Sequence, residues 1–469
     1  MIRKSAFIFG GNALGSLFLF VRNVTLARML SVENYGVAMT FAITVAALEL
    51  ATNLAADRML IQDPDGDDPR LQNTMHSFEI VRGAALALLL FVIAAPTAAF
   101  FQVPEATSAF QWLALVPMIR GFRNLDMFWM QRKQRFRAFI LTPLIAQVFA
   151  TILIVPLALY FEDYRAMLVS VIIQHAGVVA LSHFFAERKY IVSWDLSVWK
   201  RVLTFGWPLM VNGGLLFVIM NGDRLIVANQ FGPTVLGWFS AAFTLAMTPA
   251  SILGKTIQTS FLPALSRRHR EQKGFDVAAI EATQAGLLAG MGLAVALSII
   301  GPPLFHLLYG ARYDEALPLL IALGVAQGMR IAKSGPATVA VAGANTKDPM
   351  TANLVRILSF AGAIAVVAAG GSILLLALTA IAGEILSMMT AMWLISHRTG
   401  VRLTRWIPSL GFVAVLSALI LYNIPALSTE FGAVFSWWHL GILVVYFAGV
   451  FGLREFRQFL FRTVRRVRS

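Results

Sequence analysis

Residues 113–130 of this chain read LALVPMIRGFRNLDMFWM, an apolar stretch that contains Arg120, Arg123 and Asp126. The stretch is apolar enough for the interior of a bilayer, where a single cation costs roughly 2.5–3.5 kcal/mol on insertion scales. Two arginines three residues apart lie on one face of a helix. Placing that face against lipid would cost free energy. We therefore expect it either to line a polar cavity that binds an anion or to form ion pairs within a helix bundle.

The whole chain shares this apolar character. Of its 469 residues 58% are hydrophobic and 13% charged, and the mean hydropathy is +0.73. A helix crosses the hydrocarbon core with about 20 apolar residues, and runs of that length recur almost end to end without the alternation of barrel strands. The sequence therefore predicts an all-α polytopic membrane protein with about 14 transmembrane helices. The absence of cysteine excludes disulfides and thiol chemistry, and we predict neither a cofactor nor a metal site.

The connections between the predicted spans alternate between short loops poor in Lys and Arg and strongly basic segments. Basic loops stay in the cytoplasm, so both termini are predicted to be cytoplasmic, and the net charge of +14 is mostly a topology signal rather than a sign of nucleic-acid binding. One loop departs from the alternation, the acidic QDPDGDDPR at 62–70. The basic tail at 454–469 is interpreted as an interfacial anchor on anionic lipid. The predicted spans are 5–30, 36–61, 77–101, 106–129, 138–160, 166–186, 204–229, 233–263, 283–307, 316–341, 349–370, 373–396, 406–423 and 436–453.

Two echoes indicate an internal repeat. Gly36 in NVTLARMLSVENYGVAMTFA matches Gly237 in RLIVANQFGPTVLGWFSAAF, and the pair Arg120 and Arg123 matches Arg330 and Lys333. Repeats of this kind are common in transporters. We therefore predict two pseudo-symmetric six-helix lobes around a central cavity, followed by two C-terminal helices. The domain boundaries are 1–188 for the N-lobe, 189–203 for an amphipathic cytoplasmic linker, 204–398 for the C-lobe, and 399–469 for helices 13 and 14 with the tail.

The cations inside the predicted spans outnumber the acids, so the charge bias favours an anionic substrate, which Arg binds through forked hydrogen bonds. Structural ion pairs, and for Arg28 snorkelling to the interface, remain as alternatives. Glu79 with Arg82 and Asp126 with Arg123 are candidate local pairs. The cavity candidates are Arg22, Arg28, Arg120, Arg123, Arg224, Lys255, Arg330 and Lys333. The candidates for coupling to an ion are Glu49, Asp57 and Glu384, although a buried, neutral glutamate is an equal alternative.

Several motifs resemble one known family. The stretches LARMLSVENYGVAMTFA, NGDRLIVANQFGPTVLGWFSAAF, FLPALSRRHREQ, GPPLFHLLYGARYDEALPLLIALG and VAGANTKDPMTANLVRILS resemble the oligosaccharide flippases of the multidrug/oligosaccharidyl-lipid/polysaccharide exporter superfamily. That resemblance implies 12 to 14 helices, a V-shaped alternating-access cavity, and export of undecaprenyl-pyrophosphate-linked oligosaccharide to the outer leaflet. The family's cavity arginines on helices one and seven correspond to Arg22 or Arg28 and to Arg224.

The resemblance also implies a multi-pass protein of the bacterial inner membrane that handles lipid-linked oligosaccharide among membrane lipids, next to polysaccharide polymerase machinery. The alternatives are a lipid II-type precursor flippase and a drug/cation antiporter, for which the positive bias is unfavourable. A membrane polymerase or ligase would need a catalytic loop outside the membrane, and the outward loops are short. The chain has no P-loop motif, and we predict that it is not an enzyme.

Overall fold

The computed structural model describes residues 2–52, 54, 56–271, 273–345, 347–400, 403–429 and 437–453. The basic tail at 454–469, which the sequence assigns to the membrane interface, lies outside them. Every regular element in the described residues is a helix, which confirms the all-α fold class. The chain divides into two compact units, unit 1 at Met1–Ser240 and unit 2 at Ala241–Ser469.

The described residues of unit 1 form ten helices and the first half of an eleventh, α11, which continues into unit 2. Short 3-10 turns at Pro64–Asp67 and Pro104–Ala106 join some of them. The helices are α1 (Ile2–Met29), α2 (Val32–Ala51), α3 (Ala56–Gln62), α4 (Pro69–Val92), α5 (Ala94–Phe100), α6 (Thr107–Leu113), α7 (Leu115–Gly121), α8 (Asp126–Arg132), α9 (Arg137–Phe161), α10 (Arg165–Phe184) and α11 (Leu196–Glu271).

In the part of unit 2 that the structure describes, nine further helices follow. Within it, α14 is almost completely buried and packs against α12 and α17, so any polar group on α14 must find a partner or a cavity inside the bundle. The helices are α12 (Phe275–Ile299), α13 (Gly301–Tyr309), α14 (Leu317–Ala332), α15 (Ser334–Ala342), α16 (Lys347–Ala368), α17 (Ile373–Thr399), α18 (Ile407–Tyr422), α19 (Ile424–Thr429) and α20 (Trp437–Gly452).

Ten helical stretches of the described residues are long and apolar enough to cross a membrane, which fits the predicted polytopic class. One of them is α11, whose backbone leaves the helical region at Gly232 between two predicted spans. The predicted span 106–129 is broken into α6, α7 and α8, and the last two predicted spans fall on the shorter helices α18 and α20. The number of fourteen crossings therefore stays a prediction.

The second cation of each repeated pair lies at a break in its helix. Arg123 is in the non-helical segment between α7 and α8, and Lys333 caps the end of α14 where α15 begins. Helix breaks inside membrane proteins are tolerated where the backbone is buried in protein or lines a cavity. The two copies of this cation pair thus share the same local architecture, one in each unit, and the breaks place the two charged side chains inside the bundles.

Helices α2 and α11 cross at the two glycines that the sequence repeat aligns. A methyl group on Gly36 would overlap the carbonyl oxygen of Pro233 and lie 3.1 Å from the backbone nitrogen of Gly237. A methyl group on Gly237 would in turn overlap the carbonyl oxygen of Val32. Small residues allow helix backbones to approach closely in lipid, where packing rather than hydrophobic burial drives association. The contact between these helices therefore depends on both glycines.

The acidic loop at 62–70 lies beside two of the basic segments. Arg201 pairs with Asp63 and with Asp65, the latter at 2.9 Å, and Lys133 pairs with Asp67 at 2.9 Å. Hydrogen bonds from Lys133 and then from the Trp129 indole lower the pKa of Asp67, so this carboxylate stays charged through the neutral range. The loop is therefore at the same end of unit 1 as segments 131–137 and 187–201, although its acidic composition departs from that of the basic segments.

The amphipathic linker predicted at 189–203 begins with a non-helical segment before α11. The Ser193 backbone nitrogen donates to the Asn73 carbonyl at 3.2 Å, and the Ile191 carbonyl lies 2.9 Å from Nδ1 of His76. These bonds hold residues 190–195 in a non-helical conformation against α4, and the helix begins only at Leu196. Trp194 is 68% exposed, as expected for a side chain at a membrane interface.

The predicted topology can be tested by single-cysteine labelling, because the chain has no cysteine of its own. We expect a membrane-impermeant maleimide to label Glu105→Cys in intact cells, and to label Lys273→Cys only after the membrane is opened. Both positions are exposed in the structure, so accessibility depends on the side of the membrane. Labelling of Lys273→Cys in intact cells would contradict a cytoplasmic location for the basic segments.

Candidate functional site

The most concentrated charge in unit 2 is a cluster of three cations around one carboxylate. Oε1 of Glu384 lies 3.0 Å from Nε of Arg330 and 2.7 Å from Nε of Arg356, while Oε2 lies 3.4 Å from Nζ of Lys333. The Glu384 side chain is 1% exposed. Three cations stabilise its ionised form, so a neutral glutamate is disfavoured here. The cluster as a whole carries two positive charges in excess.

The repeated pair on α14 and at its end has two different environments. The Lys333 ammonium uses its three donors on Glu384, on the Asn353 amide oxygen at 3.0 Å and on the Ser387 hydroxyl at 2.8 Å. The Nη1 group of Arg330, in contrast, has no hydrogen-bond partner among the described residues. Lys333 is therefore fully engaged, whereas Arg330 keeps an unused donor.

Arg330 lines a cavity of about 420 Å³ between α11, α14, α15 and α16 of unit 2. The exposed Lys255 of α11 lies on its wall, and the lining described for the cavity includes no carboxylate. Its size is within the ordinary range for small-ligand sites. The polar lining side chains are Ser251, Lys255, Gln258, Gln327, Arg330, Ser334 and Thr338.

The depth of this cavity follows from the helix that carries Arg330. Arg330 lies about 20 Å along α14 from Leu317, at a rise of 1.5 Å per residue. The sequence predicts that α14 begins at the outer surface, and with a hydrocarbon core of about 30 Å that topology would place Arg330 in the cytoplasmic half of the membrane. A second cavity of about 120 Å³ adjoins it and is lined by both Arg330 and Lys333.

Unit 1 holds a related cluster whose charges balance. Arg120 forms an ion pair with Glu49 of α2, and Nε2 of His175 on α10 lies 3.4 Å from the same carboxylate. The adjacent cavity measures only about 70 Å³. Arginines and carboxylates contribute equally to its described wall, so an anion would bind there with less favourable electrostatic energy than in unit 2. The charged lining residues are Arg82, Arg120, Arg123, Glu49, Asp57 and Glu79.

Two predicted cavity arginines of unit 1 rest on neutral partners. The Arg123 guanidinium lies 5.0 Å from the centre of the Phe128 ring. Arg22 is 4% exposed and donates to the Gln174 amide oxygen at 2.6 Å, and Gln174 in turn donates to Gln147. The described residues provide no carboxylate partner for Arg22. A buried guanidinium held by amides keeps an uncompensated charge, at the cost of desolvation.

The other candidates are more dispersed. Arg28 is exposed in the last turn of α1, Arg224 is partly buried on α11, and Asp57 accepts a hydrogen bond from the Arg58 backbone at 2.9 Å. The local pair of Glu79 with Arg82 is confirmed at 2.6 Å.

The predicted pair of Asp126 with Arg123 is wrong. The Asp126 carboxylate is fully buried and accepts hydrogen bonds from the backbone nitrogens of Glu187 and Arg188, at 2.7 and 3.1 Å. It therefore anchors the segment before α11. Arg123 is directed instead to the Phe128 ring, because both residues follow the break after α7.

Sequence reasoning missed several side chains that complete the clusters. The sequence pattern assigns none of Arg356, His175 and Gln174 to a site. A polar residue in an apolar helix indicates a partner inside the protein, because it must be satisfied there. Their partners lie on other helices, however, and helix packing cannot be read from the spacing of residues along one helix.

Comparisons with known proteins agree with this architecture. A family model described as polysaccharide biosynthesis protein matches residues 25–318. A Klebsiella pneumoniae protein described as an uncharacterized membrane protein in the cps region is 19% identical, over 74% of this chain and 73% of its own length. The amylovoran biosynthesis protein AmsL of Erwinia amylovora is 21% identical, over 55% of this chain and 68% of its own length.

Among solved structures, the lipid II flippase MurJ in an inward closed conformation superposes with a TM-score of 0.72. The alignment covers 99% of this chain and 100% of MurJ, at 16% sequence identity. At that identity the likeness concerns the fold. It shows that the order and packing of helices found here occur in a known membrane protein.

Proposed function

We propose that this chain, which belongs to the polysaccharide biosynthesis protein family, is a flippase that moves a lipid-linked oligosaccharide from the inner to the outer leaflet for surface polysaccharide biosynthesis. Membership in this family agrees with the resemblance to oligosaccharide flippases in the sequence. The observation that carries the proposal is the cavity of unit 2, whose described lining presents Lys255 and Arg330 and includes no carboxylate.

The substrate group that suits this cavity is a pyrophosphate. Arg330 contributes its guanidinium to the lining of this cavity and keeps a buried Nη1 group that has no partner among the described residues. Lys255 of α11 adds a second cation to the lining. Charge-assisted hydrogen bonds to phosphate oxygens are stronger than neutral ones, and a low dielectric strengthens them further. The cavity accommodates a pyrophosphate with its first sugar, and a longer glycan extends beyond it. A location in the cytoplasmic half suits loading from the inner leaflet, before access alternates to the outer face.

The lipid II-type alternative is kept because MurJ, named for lipid II, shares the fold. A peptidoglycan precursor presents the same pyrophosphate to the cations, so the chemistry of the cavity is common to both substrates. A drug/cation antiporter is disfavoured because the cavity would repel a cation. For the energy source, we propose Glu49 and Asp57 of unit 1 for ion coupling, because both line a cavity whose described charges balance, whereas Glu384 is held by three cations.

The test is transport by purified protein in sealed vesicles that contain a fluorescent lipid-linked oligosaccharide. We expect protein-dependent movement of the pyrophosphate-linked glycan across the bilayer, and no movement of the same glycan on a neutral glycolipid. Comparing a surface-polysaccharide repeat unit with lipid II distinguishes the two substrates. Equal movement of charged and uncharged lipids, or movement of a cationic dye alone, would contradict the proposal.

A further inference from the structure

The Glu384 carboxylate pairs with Arg330, a cation that also lines the cavity assigned to the substrate pyrophosphate. It holds Arg330 through Nε at 3.0 Å, while Nη1 of the same guanidinium has no partner among the described residues. A guanidinium has two usable edges. One edge of Arg330 is therefore engaged with an internal carboxylate, and the group as a whole borders the cavity assigned to the pyrophosphate.

Glu384 does not depend on Arg330 for charge compensation. Arg356 lies 2.7 Å from Oε1 and Lys333 lies 3.4 Å from Oε2, so two cations stay with the carboxylate if Arg330 leaves. Removing the sole partner of a buried charge is strongly unfavourable because an uncompensated charge remains. That penalty does not arise here, because Arg356 and Lys333 remain. Among the described members of the cluster, only Arg330 both keeps an unpartnered Nη1 group and lines the larger cavity.

Building on the proposed function, we propose that Arg330 exchanges partners between Glu384 and the phosphate oxygens of the substrate. In the empty site Glu384 stands in for the anion and neutralises Arg330. When the substrate enters, the guanidinium turns from the carboxylate to the phosphate, and Lys333 and Arg356 retain Glu384. When the substrate leaves, Glu384 takes Arg330 back, which limits affinity and accelerates release. Glu384 is thus a positioning residue that tunes affinity through Arg330.

This role predicts a change that a structural salt bridge would not give. In Glu384→Gln the competing charge is absent, so purified full-length protein should bind inorganic pyrophosphate more tightly, by about tenfold for one charge-assisted contact. In the vesicle assay both KM and turnover should fall, because release becomes slower. A residue that only supports the fold would weaken binding when replaced.

Two further variants separate the partner exchange from a change in net charge and from the general loss of a buried carboxylate. Glu384→Gln combined with Arg356→Gln restores the excess of two positive charges and still frees Arg330, so it should also bind more tightly. Glu281→Gln is the matched control, because Glu281 is a buried carboxylate of unit 2 that pairs with Arg268 at 3.9 Å. We expect it to leave pyrophosphate affinity unchanged.

The effect must also depend on Arg330. With Arg330→Gln in the background, Glu384→Gln should no longer tighten binding. If the wild type binds pyrophosphate through Arg330 and transports, but both Glu384 variants bind equally or more weakly, the partner exchange is overturned and the proposed function stands. If the wild type neither binds pyrophosphate nor moves a pyrophosphate-linked lipid, the proposed function fails and the partner exchange fails with it.

Discussion

Replacing Arg330 or Lys255 by glutamine is expected to abolish measurable transport of pyrophosphate-linked oligosaccharide while the protein still inserts in the membrane. Both side chains lie on the wall of the cavity in unit 2, which has no described carboxylate to take over the role of a cation partner. Each lost charge-assisted hydrogen bond costs roughly 1.5–3 kcal/mol, or about a 10- to 100-fold loss of affinity. The measurement is the initial rate in proteoliposomes, together with surface polysaccharide in a deletion strain.

The matched control is Arg267→Gln. Arg267 is an exposed cation near the end of α11, 4.0 Å from Glu271, and exposed pairs of this kind contribute little. The Arg267→Gln variant should transport like the wild type. This result would show that the cavity cations matter, and not the overall positive charge of the protein. From the sequence, Arg123→Gln and Arg224→Gln should also abolish export. Normal polysaccharide in the Arg330, Arg123 and Arg224 variants would rule out an anion-binding role for these arginines.

Replacing Gly36 by alanine is expected to prevent the close approach of α2 and α11 and to reduce sharply the yield of folded protein. The added methyl group would overlap the carbonyl oxygen of Pro233, which is backbone and cannot rotate away. Overpacking of a tight contact costs about 1–3 kcal/mol or more. Gly237→Ala should have a similar effect, through the carbonyl oxygen of Val32. The measurement is the fraction of monodisperse protein in detergent as the temperature rises.

Gly15→Ala is the control for this prediction, because a methyl group there meets nothing within 4 Å among the described residues. Alanine favours a helix over glycine by about 1 kcal/mol, so this variant should be as stable as the wild type or more stable. The same intrinsic gain applies at Gly36, where it should be outweighed by the steric overlap. A Gly36→Ala protein with wild-type stability would show that the two helices do not need this contact.

The membrane class, the basic loops and the positions of most spans are encoded locally along the chain, because hydropathy and loop charge act on each segment independently. The repeat was visible for the same reason. Gly36 and Gly237, matched by sequence alone, meet at the crossing of α2 and α11. Arg120 and Arg330, also matched by sequence, each pair with a carboxylate of another helix.

Only the tertiary structure decided which cations are compensated. Arg120 and Arg330 look alike in sequence, yet Arg120 borders a small cavity with balanced charge, and Arg330 borders a larger one whose described lining includes no acid. Glu384, which stands 54 residues from Arg330, was assigned to ion coupling because its three cation partners lie on α14, α16 and the junction before α15. The sequence shows which charges lie within the apolar helices. Helix packing determines how each charge is neutralised, because electrostatic interactions depend on distance in space and not on separation along the chain.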